Sequence, residues 1–361
     1  TFSSVKEVLA KANEKKSGDT LAGIGAADAK ERTAAKYVLS DLTVEEITNS
    51  PAVDYKSDSV TRIILDDLNR AQYDKIKNLT IGELREKILD NMISGDEILQ
   101  LAGGMSSEVI AALAKLMGNL DLMYVSRKLH VTATCNTTIG ERGTFAARLQ
   151  PNHPTDDVKG VTASLLEGLS YGIGDAVIGL NPAIDTLKST ADILTLFNDV
   201  KTKLAVPTQI CVLSHITTQM QALRQGVPMD LCFQSIAGSE KALSSFGTDV
   251  DMLAEANELM AERGTAKGPN YLYFETGQGS ELSSNSHNGA DQLVRESRCY
   301  GLARHYKPFL VNTVVGFIGP EYIYDSKELV RAALEDNFCG HMHGLPMGCD
   351  ICYTHHMKAD Q

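Results

Sequence analysis

Tyr271-Leu-Tyr-Phe-Glu275-Thr-Gly-Gln-Gly279 is a short apolar run that ends on a carboxylate and then on glycines. It has the length of a buried strand, and the glycines allow close backbone approach at its end. Five further runs share the form: Ala176–Asn181, Leu231–Gln234, Phe309–Phe317 with Asn312 inside it, Gly344–Asp350 and, less clearly, Phe145–Gln150. Helical patterns separate them. A carboxylate, amide or guanidinium at the C-terminal end of a buried parallel strand is where a (β/α)8 barrel carries its active site. The placement predicts an enzyme.

The rhythm extends over most of the chain. Strands are expected near 145–150, 176–181, 208–213, 231–236, 271–276, 309–318 and 344–352, and helices near 157–169, 186–203, 216–225, 239–262, 288–304 and 326–337. Alternating strands and helices with connections this long imply a parallel sheet with right-handed crossovers. Seven strands exceed a small open sheet and fall one short of a closed barrel. The expected division is a helical N-terminal region over 1–130, serving as scaffold or oligomer surface, and a catalytic barrel over 131–361. In the N-terminal region, Thr43-Val-Glu-Glu46 and Thr80-Ile-Gly-Glu83 read as capping boxes, in which threonine and glutamate each satisfy an orphan backbone N–H. Ser106 or Ser107 caps a run with apolar positions 109, 110, 113, 116, 117 and 120, one helical face.

Composition narrows the function classes. The 361 residues carry a net charge of −12, with 43% hydrophobic and 22% charged residues and no basic segment. An anionic surface repels phosphate backbones, so nucleic acid is not an expected partner. Seven cysteines, several inside apolar runs, read as reduced core thiols of a soluble intracellular protein. No signal peptide and no apolar stretch of about 18 residues suggests a membrane.

Arg148 and Gln150 lie two apart on one strand and share a face; the alternative is a rim salt bridge and a turn before Pro151. Asn181-Pro182 closes a very apolar run, although Asn-Pro is also an ordinary turn signal. Glu275 is the sharpest candidate, because burying a carboxylate costs several kcal/mol unless partners meet it. Asp350, in Met347-Gly-Cys-Asp350, gives a second carboxylate at the equivalent end of a later strand. Two carboxylates, an arginine and two amides suit a small polar cation such as an amino alcohol. Cys339, His341, His343, Cys349, Cys352, His355 and His356 could assemble a zinc site. Cys349 and Cys352 fall on opposite faces of a strand, however, and no second C-x-x-C exists, so no metal is expected. Gly23-Ile-Gly25 and Gly172-Ile-Gly174 fail as dinucleotide fingerprints, and no P-loop, nucleophile elbow or H-E-x-x-H occurs.

With these residues assembled, the sequence resembles the large (heavy) subunit of ethanolamine ammonia-lyase from Val5-Lys-Glu-Val-Leu-Ala-Lys-Ala-Asn13 to Asp360-Gln361. The most specific blocks are Asn136-Thr-Thr-Ile-Gly140, Arg148-Leu-Gln-Pro-Asn152, Gly174-Asp-Ala-Val-Ile-Gly179, Tyr273-Phe-Glu-Thr-Gly-Gln-Gly279, the segment Phe309 to Pro320, and Met347-Gly-Cys-Asp350. The resemblance implies a TIM barrel behind a helical region, and an adenosylcobalamin-dependent carbon–nitrogen lyase that converts ethanolamine to acetaldehyde and ammonia. It implies a small-subunit partner, contacts between large subunits and a cytoplasmic setting; packing in a bacterial microcompartment stays open. Family members continue past Gln361, so the eighth strand and some cofactor contacts are expected outside these residues.

Carried over by motif, Arg148, Gln150, Asn181, Glu275 and Asp350 are substrate residues, with Glu275, Arg148 and Asp350 catalytic. Arg148 and Asn181 would hold the hydroxyl, Gln150 and Asp350 the ammonium, and Glu275 both. Phe317 would wall the pocket, and Pro182, Gln234 and Ser283 would lie near the corrin and adenosyl group. The sequence lacks a D-x-H-x-x-G signature, so the resemblance implies base-on cobalamin with no protein ligand to cobalt. The implied chemistry is cobalt–carbon homolysis, hydrogen abstraction from the hydroxyl-bearing carbon, loss or migration of the amine, and return of hydrogen. A related cobalamin-dependent aminomutase or dehydratase is the competing enzyme reading, and a non-catalytic assembly subunit the competing non-enzyme one.

Overall fold

The computed structural model describes residues 1–277, 281, 284–315 and 326–351. Ten helices occupy the stretch from Val5 to Lys128, after which the chain turns to alternating strands and helices. Both anticipated capping boxes form, with Thr43 and Thr80 each bonded reciprocally to the glutamate three residues on, and Ser94 with Glu97 adds a third. Ser106 caps the helix Ser107–Lys115.

A hairpin that the sequence patterns did not announce opens the second part. Strands β1 (Ala133–Thr134) and β2 (Thr138–Ile139) pair antiparallel. Two parallel sheets follow. The first orders β3 (Arg148–Leu149), β4 (Val177–Leu180) and β5 (Ile210–Val212); the second orders β6 (Cys232–Ser235), β7 (Leu272–Thr276), β8 (Leu310–Val315) and β9 (Met347–Ile351). All seven lie within the anticipated stretches. The Leu231 N–H donates to the Ile210 carbonyl at 3.2 Å and joins the sheets across the gap between β5 and β6.

The helices match with one exception. The stretch expected as one helix over 239–262 is two, Glu240–Ser245 and Val250–Arg263. Gly247, at φ 72°, takes the left-handed turn between them, and the Asp249 carboxylate caps the second by accepting the Met252 N–H.

Side chains alternate across every long strand. Ile178, Leu180, Ile210, Val212, Cys232, Leu272, Phe274 and Val311 pack against the helices in one large core that also takes in the N-terminal helices. Val177, Cys211, Phe233, Tyr273 and Leu310 face the other way and meet each other, together with Ala133, Cys135 and Ile139 of the hairpin, in a second core. Five strands from both sheets thus share one interior, and the hairpin covers its end. Phe233 and Tyr273 meet edge to face there, their ring centres 5.4 Å apart. Among the described residues no helix is long and apolar enough to cross a membrane.

Buried ion pairs fasten the N-terminal helices to those that cover the sheets. Lys16 Nζ lies 2.5 Å from Glu335 Oε2, and Arg298 reaches Glu108 and Asp58. Glu281, 5% exposed, sits close by and accepts the Gly238 N–H at 2.7 Å. Burial pushes its carboxyl up to about 7, against the pull of Arg295 and Arg298 and with the charge of Asp58 adding to the rise. A carboxyl whose folded pKa is raised favours the folded state while it is protonated. That stabilisation is complete below the ordinary value of 4.5 and is lost as pH climbs through about 7. Glu281→Gln keeps the Gly238 hydrogen bond and removes the titration. Its stability relative to the parent should therefore rise by roughly 2–3 kcal/mol between pH 5 and pH 8. Urea unfolding at the two pH values checks this, and parallel changes in parent and variant would refute it.

Candidate active site

Arg148 is the hub. It stands on β3, the edge of the first sheet, and its guanidinium crosses to the second sheet. One terminal nitrogen donates to the Tyr273 hydroxyl and to Glu275 Oε1 at 2.6 Å; the other donates to Gln150 Oε1 at 2.5 Å and to Asp350 Oδ2 at 3.2 Å. Period-two spacing explains the sharing of a face by Arg148 with Gln150 and by Tyr273 with Glu275. Parallel register brings in the rest. Glu275 pairs with Asn312 across β7 and β8, and Asp350 pairs with Val314 across β8 and β9. The Arg148–Asp350 contact therefore spans the two outer edges of the paired sheets, β3 and β9.

Two members were not among the candidates drawn from sequence. The Tyr273 hydroxyl donates to Glu275 Oε1 at 2.5 Å, and Asn312 Nδ2 reaches Asp350 Oδ2 at 3.2 Å and Glu275 Oε1 at 3.4 Å. Tyr273 was hidden inside an apolar run. Asn312 stood out as polar within its run, but only the register places it beside Glu275.

Burial alone would lower the Arg148 pKa; Tyr273 and the carboxylates of Glu275 and Asp350 outweigh it and raise it. Burial, reinforced by the Glu275 charge, pushes Tyr273 well up, so it remains a phenol and a donor. One guanidinium against two carboxylates leaves the cluster with one surplus negative charge. Glu275 gathers its three donors on Oε1, and among the described residues its Oε2 accepts no hydrogen bond. Such a cluster can take a monocation that also carries a hydrogen-bonding group.

Two cavities meet at this cluster. One, of ≈ 370 Å³, lies at the C-terminal ends of β6, β7 and β8 and is lined by Gln234, Ser235, Glu275 and Thr276 with apolar walls from Leu213, Phe233 and Val314. His215 is the histidine on its wall, and both ring nitrogens are engaged, by Thr217 Oγ1 at 2.8 Å and the Phe246 carbonyl at 3.1 Å. The other, of ≈ 890 Å³, runs along β9 and carries Arg148, Gln150, Tyr273, Asn312 and Asp350 on its lining.

Gln234 is buried. Its Oε1 accepts the Ile216 N–H at 3.1 Å, and its Nε2 donates to the Ser235 carbonyl at 3.0 Å. Asn181 stands apart from the Arg148 cluster: it follows β4, is exposed, and none of the described hydrogen bonds of the cluster involves its side chain. Pro182 follows it, half-buried. Ser283 and Phe317 lie outside the described residues, as do Cys352, His355 and His356. Of the remaining cysteines and histidines near the C-terminus, Cys339 is buried, and His343 bonds Ser107 Oγ at 3.0 Å and the Cys339 carbonyl at 2.7 Å. Burial pushes His341 down to about 4. Among the described residues no group of three or more histidine, cysteine or acidic side chains is placed to hold a metal ion.

A family model described as "Ethanolamine ammonia lyase large subunit (EutB)" matches residues 1–361. The chain is 54% identical over 360 residues to the ethanolamine ammonia-lyase large subunit of Escherichia coli strain K12, covering 100% of this chain and 80% of that protein. The same identity and coverage hold for the protein of that name from Salmonella typhimurium strain LT2. A match along the whole chain, at that identity, makes it a member of the ethanolamine ammonia-lyase large-subunit family.

Proposed function

We propose that this protein is the large subunit of an adenosylcobalamin-dependent lyase that converts ethanolamine to acetaldehyde and ammonia. The observation that carries the reading is the net charge of the Arg148–Glu275–Asp350 cluster: one negative charge in excess, with a carboxylate oxygen on Glu275 that no described residue engages. Ethanolamine at neutral pH is a monocation with one hydroxyl. Glu275 would accept from both its ammonium and its hydroxyl, and Asp350 and Gln150 would accept from the ammonium. Arg148 and Asn181 would bind the hydroxyl oxygen. A neutral diol would leave the second carboxylate uncompensated, which disfavours the related dehydratases.

The fold reading that goes with this is a (β/α)8 barrel. Support comes from the core shared by five strands and from the Arg148–Asp350 ion pair between the outer edges. A barrel mouth bearing polar residues on its strand ends is the usual place for such a site.

The smaller cavity suits part of the cofactor. Its ≈ 370 Å³ takes a nucleoside-sized group but not the corrin, which would lie across the opening. Gln234 and Ser235 supply polar contacts there, with Pro182 and Ser283 as further candidates. His215, with both nitrogens engaged, is poorly disposed to ligate cobalt, in keeping with base-on binding. When bound, the cofactor supplies the radical chemistry. The protein's part is to bind and orient: Tyr273 and Asn312 fix the Glu275 carboxylate, and Arg148 keeps Glu275, Gln150 and Asp350 at set distances. The apolar walls keep water away. A small subunit would complete the assembly, as the words "large subunit" in the relatives' names suggest.

The test is anaerobic incubation with ethanolamine, adenosylcobalamin and the small subunit. A cob(II)alamin radical-pair signal with release of acetaldehyde is the expected result. A signal with amino-group migration and no aldehyde would point to an aminomutase, and absence of any signal with cobalamin bound would point to an assembly subunit.

A further inference from the structure

Asn181 has an exposed side chain, and the described residues offer its amide no hydrogen-bond partner. The position of that amide is therefore set by the backbone that carries it. That backbone is held from outside. The Asn181 N–H donates to Asn152 Oδ1 at 3.0 Å, Pro182 has no N–H, the Ala183 N–H donates to Asp156 Oδ1 at 2.8 Å, and the Ile184 N–H donates to Asp156 Oδ2 at 3.0 Å. The Ser189 hydroxyl adds a third donor to Asp156, at 3.0 Å to Oδ2. Every backbone donor from 181 to 184 is thus taken by a side chain of the segment that follows β3. Asp156 itself sits at φ 53° in the left-handed region, a conformation that aspartate tolerates better than most residues but that still carries a cost.

The same device recurs around the neighbouring strand ends. Asp185 Oδ2 accepts the His215 N–H at 2.7 Å, Gln234 Oε1 accepts the Ile216 N–H at 3.1 Å, and Glu281 Oε1 accepts the Gly238 N–H at 2.7 Å. Side-chain acceptors from one segment hold the backbone of a neighbouring one, before or after it in the chain, so the rim is set segment by segment. Among these acceptors, Asn152 and Asp156 hold the segment that carries Asn181, and Asp156 takes two of its three backbone donors.

We propose that Asp156 is a positioning residue for the reaction: by gripping the Ala183 and Ile184 N–H groups with one carboxylate, it fixes where the Asn181 amide meets the substrate hydroxyl. This rests on the reading of Asn181 as a substrate residue. Reacting groups must be held tightly, and a misplacement of about 1 Å can cost on the order of 100-fold in rate.

The test compares Asp156→Ala, Asp156→Asn, Asn181→Ala and the double variant Asp156→Ala/Asn181→Ala, each in the complex with small subunit and adenosylcobalamin. Asp156→Ala should lower kcat/KM for ethanolamine by about 10- to 100-fold. Asp156→Asn keeps one acceptor and should recover part of that loss. Bound cobalamin, followed by its absorbance, and Tm report that each complex is assembled. The double variant should be no slower than Asn181→Ala alone, because a residue that acts only through Asn181 has nothing left to position. Losses that multiply in the double variant, or an Asp156→Ala as active as the parent, would overturn the proposal. A fully active Asn181→Ala would instead show that the assignment of Asn181 is wrong, and the proposal would fall with it. If Asp156→Ala does not assemble, the same comparison is made with Asp156→Asn.

Discussion

Glu275→Gln should leave a folded subunit that still binds cobalamin and turns over ethanolamine about two to four decades more slowly. The three donors on Glu275 Oε1, from Arg148, Tyr273 and Asn312, can all be met by an amide oxygen, so the variant keeps its shape and most of its contacts. What it loses is the second oxygen. In glutamine that position is an NH2 group, a donor where, in the proposed binding mode, the ammonium and hydroxyl of the substrate would need an acceptor. A charge-assisted hydrogen bond is worth roughly 1.5–3 kcal/mol, and two are at stake. Asp350→Asn should lose less, because Asp350 is 49% exposed against 16% for Glu275 and Gln150 remains to meet the ammonium. A Glu275→Gln enzyme with kcat within about threefold of the parent would remove Glu275 from the centre of the site.

The part of this site that could be read from sequence is the part carried by strand ends. Apolar runs closing on Arg148, Gln150, Glu275 and Asp350 put those four at the ends of β3, β7 and β9, where the hydrogen bonds join them across the two sheets. The parallel α/β scaffold was legible for the same reason. Tyr273 was not, because a tyrosine in an apolar run looks like core, and half of it is core: its ring packs on Phe233 while its hydroxyl reaches Glu275. Asn181 lies beyond its strand, so the path of a turn decides its position, and the backbone of that turn is bonded to side chains of Asn152 and Asp156, which no local pattern announces. The break at Gly247 and Asp249 carried both a turn glycine and a helix cap, yet the apolar pattern ran on across it. Helix 292–306 shows another limit. It is buried on nearly every side, with Leu293, Val294, Tyr300 and Leu302 in the main core beside buried charged residues, and no amphipathic stripe marks the face of its charged residues.

Arg298, on that helix, sets the second large effect. Replacing it with methionine should destabilise the protein by about 3–5 kcal/mol. The guanidinium is 1% exposed and its contacts are long-range in the chain: Glu108 Oε1 at 2.7 Å, Asp58 Oδ2 at 3.0 Å, Thr61 Oγ1 at 2.6 Å and the Gly238 carbonyl at 2.8 Å. Methionine fills much of the volume but leaves two carboxylates, 2% and 1% exposed, without their cation. A buried pair broken from one side costs more than the pair contributes when whole, because the remaining charge has neither water nor partner. Arg298→Lys keeps the charge but cannot fork to both acids and a carbonyl, so it should fall between methionine and the parent. Asp58→Asn and Glu108→Gln, added to Arg298→Met, should recover part of the loss by removing the stranded charges. The same contact anchors Gly238, four residues after Gln234, so the variant should bind cobalamin more weakly as well as unfold earlier. Urea titration and cobalamin absorbance measure the two effects. A methionine variant that unfolds within about 1 kcal/mol of the parent would mean that Arg298 does not fasten the N-terminal helices to the sheet-covering ones.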